Sequence, residues 1–245
     1  MPEAFTINLR QTMLIFRKEL ASYFDSAVAY IVLVVFLLIG GWFFSSSFFL
    51  INESDLRVLF NIIPIMYLFF IPAITMGLLA REKSAGTIEL LVTLPISDWA
   101  VVLGKYLAAM ALLGVALLFT LMHFITLVLV SSNVDVGALL SGYLGLLLVG
   151  GVYAAIGIFC SAITSNQITA FIVNFMIVFI LFVLSKVIIF VPGFLSALVQ
   201  YISIDFHLTN ISRGVIDSRN LVYFGSMIFL FLTLAVRVLE MRKWR

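Results

Sequence analysis

The hydrophobic positions of the chain fall into six long runs separated by shorter polar stretches. A helix needs about 20 apolar residues to cross the hydrocarbon core of a membrane, and each run is at least that long. The sequence therefore predicts an all-α integral membrane protein with one membrane domain. Its six predicted transmembrane helices are 27–51, 58–80, 102–130, 138–163, 168–191 and 220–239.

Composition agrees with this interpretation. Hydrophobic residues make up 64% of the chain and charged residues 11%, whereas a soluble domain is about half apolar and about a quarter charged. Residues 1–26 contain no apolar stretch that ends at a small-residue cleavage site, so we expect the first span to be retained rather than removed as a signal peptide. The single cysteine, Cys160, lies in an apolar run and is interpreted as a small buried residue.

The basic residues beside the spans predict the orientation. With the N-terminus inside, the inner flanks hold ten Lys and Arg residues and the outer flanks hold four. Cytoplasmic flanks carry the excess of positive charge. Both termini are therefore predicted to be cytoplasmic, which agrees with an even number of spans.

Residues 5–20 predict an amphipathic helix ahead of the first span. Apolar residues recur every three or four positions from Leu9 to Leu20, and basic residues, Arg17 and Lys18 among them, fall on other faces. Such a helix can lie in the membrane interface with its bases near anionic headgroups. The alternative is a cytoplasmic helix packed on the bundle. We favour the interfacial arrangement, which makes membrane lipids a partner.

Motifs for enzymatic chemistry are missing from the sequence. It contains neither a G-x-x-x-x-G-K-[ST] phosphate loop nor an H-E-x-x-H zinc motif. Its two histidines, His123 and His207, lack metal-ligand spacing. We therefore expect no catalytic residue, metal or cofactor in this chain.

Lys186 is the main charged residue within a span. A proton-coupled transporter needs ionisable residues inside the membrane, and their scarcity in this sequence argues against that class. For His123 we expect a hydrogen bond between helices.

Two features of the spans concern packing. Small residues recur every three or four positions over 150–161, which predicts a face that approaches another helix closely. That helix could belong to this chain or to a second subunit, and we favour this chain. Pro64 and Pro72 can kink the second span, and both a mobile and a static kink are compatible with the sequence.

The link between the second and third spans predicts a further helix on the cytoplasmic side. It covers 87–94 and ends at Pro95. Ile88, Leu91 and Val92 share one apolar face of this helix. A partly apolar helix outside the membrane requires a partner surface, either on another protein or on the bundle itself.

Three motifs, in this order, resemble those of ABC-2 type permeases. The sequence 81–96 is similar to the family's R-E-K-x-x-G-T-[IL]-E-L-L-x-x-x-P-[IV] stretch, and Gly104-Lys105 resembles the Gly-Lys that opens its third span. Residues 18–30 resemble its K-E-L…Y-F…A-Y lead into the first span. The third motif is similar to the family's H-F…R-G-V-I-D segment. In this sequence it reads Phe206-His207, with the first pair reversed, followed by R-G-V-I-D over 213–217.

The resemblance covers nearly the whole chain and implies the permease subunit of an ABC transporter in the bacterial cytoplasmic (inner) membrane. The gliding-motility permease is the most similar subfamily, and the permeases of nitrous-oxide-reductase maturation and sodium efflux are related. Two permease chains, identical or different, would pair, and each would dock on a cytoplasmic ATPase that binds ATP and Mg²⁺. The permease would couple ATP hydrolysis to export or to force transmission, with no nucleic-acid partner.

The resemblance also implies roles for segments and residues. Residues 1–26 would form an elbow helix, and 27–245 a transmembrane domain with a coupling helix over 82–95 and an external re-entrant segment over 192–219. Within the coupling helix, apolar residues would contact the ATPase, and Glu82 and Glu89 would meet its basic groups. The implied coupling residues are Arg81, Glu82, Lys83, Gly86, Thr87, Ile88, Glu89, Leu91, Val92 and Pro95. The elbow residues are Arg17, Lys18 and Glu19, and the external ones are Phe206, His207, Arg213, Gly214 and Asp217.

Two other function classes are compatible with the sequence. A structural membrane anchor of a multi-protein machine would not depend on the catalytic residue of a partner ATPase. An ATP-independent channel or transporter would work without nucleotide and would need a polar pore. The scarcity of charge in the spans argues against the second class.

Overall fold

The structure, a computed structural model, describes residues 8–51, 57–88, 96–130, 135–188, 192–215 and 217–241. Within these ranges the regular structure is helical and contains no strand. The helices are α1 (Leu9–Phe24), α2 (Ala27–Ser45, continued by a π-helical turn, Ser46–Ile51), α3 (Arg57–Thr75), α4 (Gly77–Ser84), α5 (Asp98–Val130), α6 (Val136–Ile163), α7 (Gln167–Val187), α8 (Gly193–Ile202), α9 (Ile204–Ser212) and α10 (Ser218–Glu240).

Six of the described helical segments are long and apolar enough to span a membrane, which confirms the predicted all-α fold with six spans. The second span combines α3 with α4, and the third begins at Asp98, a full turn earlier than the apolar run. The side chain of Ser97 accepts a hydrogen bond from the Ala100 N–H at 3.2 Å and so caps this early start. The segments are Ala27–Phe49, Val58–Ser84, Asp98–Val130, Val136–Ile163, Gln167–Val187 and Ser218–Glu240.

The fourth span, α6, is the centre of the bundle. It packs against α3, α5, α7, α9 and α10, and 78% of its apolar window is buried, against 17% for α7. Its glycines make these approaches possible. A side chain on Gly142 would collide with the ring of Phe60, and one on Gly150 would collide with Leu113. The small-residue face therefore packs within the chain, as predicted.

The second span is broken one turn after Pro72. Helix α3 ends at Thr75 and α4 begins at Gly77. The residue between them, Met76, offers no side-chain cap to the new helix. Pro64 and Pro72 both lie inside α3, so the break at Met76 comes after both prolines.

Ser161 of α6 supplies the missing cap from a neighbouring helix. Its Oγ accepts hydrogen bonds from the backbone N–H groups of Leu79 and Ala80 at 3.0 and 2.9 Å. Its hydroxyl donates to the Met76 carbonyl at 2.9 Å. Since the first N–H groups of a helix have no partner within it, Ser161 fixes the start of α4 to the centre of the bundle.

Replacing Ser161 by Ala should destabilise the protein by about 1–3 kcal/mol, because buried N–H and carbonyl groups lose a hydrogen-bond partner. The measurement is thermal unfolding in detergent. Ser226→Ala is the matched control, since Ser226 is exposed and donates within its own helix to Tyr223. Equal unfolding temperatures for the two variants would contradict the role of Ser161 as a cap.

Candidate functional site

Four charged residues from three helices meet at one end of the bundle. The Lys105 Nζ of α5 lies 2.8 Å from Glu19 Oε1 of α1 and 2.8 Å from Glu82 Oε1 of α4. Lys18 Nζ lies 3.4 Å from the same two oxygens. We call these four residues the charge cluster. It joins the helix before the first span, the end of the second span and the start of the third.

The cluster forms because α1 lies directly on α5. Residue 104 is glycine, and a Cβ there would lie 2.7 Å from the Ile15 side chain and 3.0 Å from the Thr12 carbonyl oxygen. Thr12 and Glu19 are seven residues apart, about two helical turns, so they occupy the same face. At the start of α5, the Ser97 N–H donates to the Gln11 side chain at 3.3 Å. These contacts place the Glu19 carboxylate beside the Lys105 ammonium group.

The face of α1 that packs on the bundle differs from the apolar face seen in the sequence. Thr12 and Glu19 are buried, whereas Leu9 and Met13 are 78% and 48% exposed. The bundle therefore packs on the face of α1 that carries Thr12, Ile15 and Glu19, and leaves Leu9 and Met13 outward. Placement of that outward face in the membrane interface stays a prediction.

The charges of the cluster balance, with two carboxylates and two ammonium groups. Lys105 is 1% exposed, and a buried ammonium group is tolerated when it is paired and hydrogen-bonded. Lys18 is exposed at the edge of the cluster. Burial opposes its protonated form, but the charges of Glu19 and Glu82 outweigh that effect and raise the pKa of Lys18. Lys18 therefore stays charged at neutral pH.

The end of α1 is also tied to the second span. The Tyr23 hydroxyl donates to the Ile74 carbonyl at 2.8 Å. Burial, with a further contribution from Glu19, raises the pKa of Tyr23, so its hydroxyl remains a donor. Ile74 precedes the break at Met76, and Glu82 follows it. Helix α1 is thus bound to both sides of the break.

The predicted coupling residues are only partly covered by the structure. Arg81 and Thr87 are exposed and Lys83 is buried. Gly86 has φ +70°, a left-handed conformation that suits glycine, and it ends α4. The other predicted coupling residues, Glu89, Leu91, Val92 and Pro95, lie outside the described residues.

Two of the predicted coupling residues contact the chain itself. The carboxylate of Glu82 lies against Lys105 and Lys18, and its contact with basic groups of an ATPase stays a prediction. Ile88 is 9% exposed and belongs to the hydrophobic core, so it does not present a free apolar surface. The reason is local, because the turn at Gly86 returns the chain to the bundle and Thr87 bonds the Glu82 carbonyl at 3.2 Å.

At the opposite end of the spans, the predicted external segment contains the two short helices α8 and α9. His207 of α9 is buried and its Nδ1 lies 2.7 Å from Asn220 Oδ1 of α10, while Nε2 lies 2.9 Å from the Tyr201 carbonyl oxygen of α8. Its ring stacks on Tyr223 with centroids 4.0 Å apart. Phe206 is 42% exposed. The Phe-His order therefore places the histidine inward, where it joins three helices.

The R-G-V-I-D motif is a helix stop followed by a helix start. Gly214 has φ +86° and follows the end of α9. Asp217 Oδ1 accepts a hydrogen bond from the Arg219 N–H at 2.9 Å and caps α10. Arg213 is exposed beside this turn. An open cavity of about 630 Å³ lies nearby, and Tyr201, His207, Asp217 and Arg219 are among its lining residues.

The remaining polar residues of the spans have local roles. Lys186 pairs with Asp205 at 2.7 Å and ties α7 to α9. His123 bonds the Thr120 carbonyl of its own helix at 3.2 Å, and it meets α2 through an edge-to-face contact with Phe44. The expected hydrogen bond between helices is therefore replaced by a ring contact.

Sequence reasoning missed the charge cluster. It treated Lys105 as part of a Gly-Lys motif and a basic flank, and it assigned Glu19 and Glu82 to separate segments. One signal was present, because Lys105 is followed by a long apolar run and a buried lysine requires a carboxylate. That signal does not say which of the chain's carboxylates pairs with it.

Comparison with protein families gives one match. A family model described as ABC-2 family transporter protein matches residues 16–213. The matched region includes the charge cluster, both sides of the break in the second span and the two short helices α8 and α9. No curated protein matches the chain in sequence. Since the match covers most of the chain and agrees with six spanning helices, the chain belongs to the ABC-2 family of membrane transporter proteins.

Proposed function

We propose that the chain is a permease subunit that couples ATP hydrolysis by a separate cytoplasmic ATPase to export or to force transmission across the bacterial cytoplasmic membrane. ATP and Mg²⁺ would bind to the ATPase. The observation that carries the proposal is the attachment of α4, which leads directly into the predicted coupling helix, to the central span through Ser161. A displacement of the link would therefore reach α6.

The physical requirement for coupling is an element that transmits one of two states from the ATPase to the spans. Helix α4 is short and anchored at its start, so it can act as a lever rather than as a flexible linker. Arg81 lies on α4 and Thr87 follows it. Both residues are exposed, so a docked protein could reach them.

A second permease chain completes the proposed assembly. Helices α2, α5, α7 and α10 leave most of their apolar windows uncovered, with 28%, 28%, 17% and 28% buried. In a membrane such surface is covered by lipid or by another helix. A pair of chains, identical or different, would use part of it. The gliding-motility assignment is a proposal that rests on the resemblance of segment 17–30 and on chain length.

The proposal is tested by purifying the tagged chain from its native membrane in mild detergent and identifying the proteins that co-purify. We expect a soluble ATPase with a Walker motif, at a level that falls at least about tenfold when Leu91 is replaced by Arg, because a charge in an apolar contact costs more than about 1.4 kcal/mol. Ser165→Arg, in a predicted cytoplasmic loop, is the matched control and should retain the ATPase.

Other outcomes of this experiment favour other functions. A folded chain that brings down no ATPase would favour a channel or an anchor. Co-purification that persists in Leu91→Arg would show that the ATPase docks elsewhere. An ATPase that co-purifies, but whose catalytic residue is dispensable for the cellular phenotype, would favour a structural anchor.

A further inference from the structure

We infer that Lys105 is a positioning residue that holds α1, α4 and the start of α5 together, so that a displacement of the coupling link moves all three as one body. This inference rests on the proposed function, because it names the connection through which a permease of this kind passes movement from the link to the helix before the first span. The argument uses the packing partners of α1 and α4, the burial of Lys105 and the distances within the charge cluster.

Helices α1 and α4 have different principal packing partners. Helix α1 packs on α5 and α2, whereas α4 packs on α6, α7 and α3. The close approach at Gly104 fixes α1 to α5, and Ser161 fixes α4 to α6. Each of these two pairs has its own contact, and the pairs also meet along the spans where α5 packs on α6. At this end of the bundle, the charge cluster is where a side chain of one pair, Glu82, reaches the other.

The connection through Lys105 is costly to open. Its ammonium group is 2.8 Å from one carboxylate of each pair, and the residue is 1% exposed. Separating either carboxylate would remove one of the two partners of a buried ammonium group, which is unfavourable. The carboxylates cannot bind each other directly, since they carry the same charge. Lys105 is therefore the group that converts two repelling side chains into a bridge.

The bridge and the Tyr23 hydrogen bond attach α1 on both sides of the break in the second span. Tyr23 holds α1 to Ile74 before the break, and Glu82 holds it to α4 after the break. If the link moves α4, the bridge passes that movement to α1 and α5, while α3 is attached to α1 only at its end. Without Glu82, α1 would stay fixed to α5 at Gly104, but α4 would no longer carry these two helices.

The test measures the distance between α1 and α4 with spin labels in lipid nanodiscs. Labels are attached to Arg10→Cys and Ser84→Cys, both exposed, while the native Cys160 is buried and does not compete. Distances are recorded for the permease with its co-purified ATPase, without nucleotide and with ATP and vanadate. The variant is Glu82→Gln, which preserves size and removes the charge that ties α4 to Lys105.

With the bridge intact, we expect a narrow distance distribution with the same mean in both states. In Glu82→Gln we expect a broader distribution whose mean shifts on ATP by about 1–2 Å, the size of displacements at helix interfaces. Glu82→Asp keeps the charge and should recover a narrow distribution. Glu240→Gln removes a carboxylate from the exposed Arg237–Glu240 pair and should change nothing.

Two results would overturn the inference. The first is a Glu82→Gln distribution that matches the parent protein in both states, even if the variant unfolds at a lower temperature, since a purely stabilising role predicts that pattern. The second is a nucleotide-dependent shift in the parent itself. If no ATPase co-purifies, the proposed function fails on its own, and the nucleotide-free comparison of Glu82→Gln with the parent still decides whether the bridge holds α4 to α1.

Discussion

Replacing Lys105 by Met should destabilise the protein by about 3–5 kcal/mol, the cost of removing one partner from a buried ion pair. The side chains of Glu19 and Glu82 are 6% and 13% exposed. Without the ammonium group between them, two carboxylates repel each other in a site with little water. Lys18 cannot replace Lys105. Its ammonium group approaches both carboxylates from the edge of the cluster at 3.4 Å, and its side chain is largely solvated.

The measurement is the unfolding temperature of the purified permease in detergent, followed by its elution profile after heating. Lys186→Met is the matched control, because it removes the same side chain from an exposed pair with Asp205, and exposed pairs contribute about 0–1 kcal/mol. Combining Lys105→Met with Glu19→Gln and Glu82→Gln should recover most of the loss. An unfolding temperature for Lys105→Met equal to that of Lys186→Met would show that the cluster is not held by charge.

The spans were predictable because their signal is local. A run of apolar residues long enough to cross a membrane has few alternatives to a helix, since backbone groups must be satisfied within the segment. Several helix starts are equally local. Asn8, Ser26, Asn166 and Asp217 each accept a backbone N–H bond at the start of a helix. Residues of these types before an apolar or amphipathic run mark an N-terminus in the sequence itself.

The site was less predictable because its parts are far apart in the sequence. Glu19, Glu82 and Lys105 are brought together by the approach of α1 at Gly104 and by the break at Met76, and neither is encoded near the charges. The same limit applies to Ile88, whose apolar character fits a partner surface and the core of its own bundle equally well. The turn at Gly86 decides between them, and its effect is visible only in three dimensions.

Gly157→Ala should destabilise the protein by about 2–5 kcal/mol, through overpacking and through a broken buried hydrogen bond. A Cβ at this position would overlap Thr75 Oγ1 and lie 2.6 Å from Asn174 Nδ2. These two groups bond each other at 3.2 Å, and Thr75 also donates to the Ile71 carbonyl at 2.8 Å. Moving Thr75 aside would therefore sacrifice polar contacts in a fully buried place.

The expected consequence reaches beyond stability, because Thr75 is the last residue of α3 before the break. Displacing it changes where α4 starts, and hence where Ser161 and the charge cluster hold it. The measurement is again thermal unfolding, with Gly225→Ala as the matched control in α10, where a Cβ meets no atom within 4 Å. In an open helical position Gly→Ala stabilises by about 0.4–1 kcal/mol. Similar unfolding temperatures for the two variants would mean that the α3, α6 and α7 contact is not tight at Gly157.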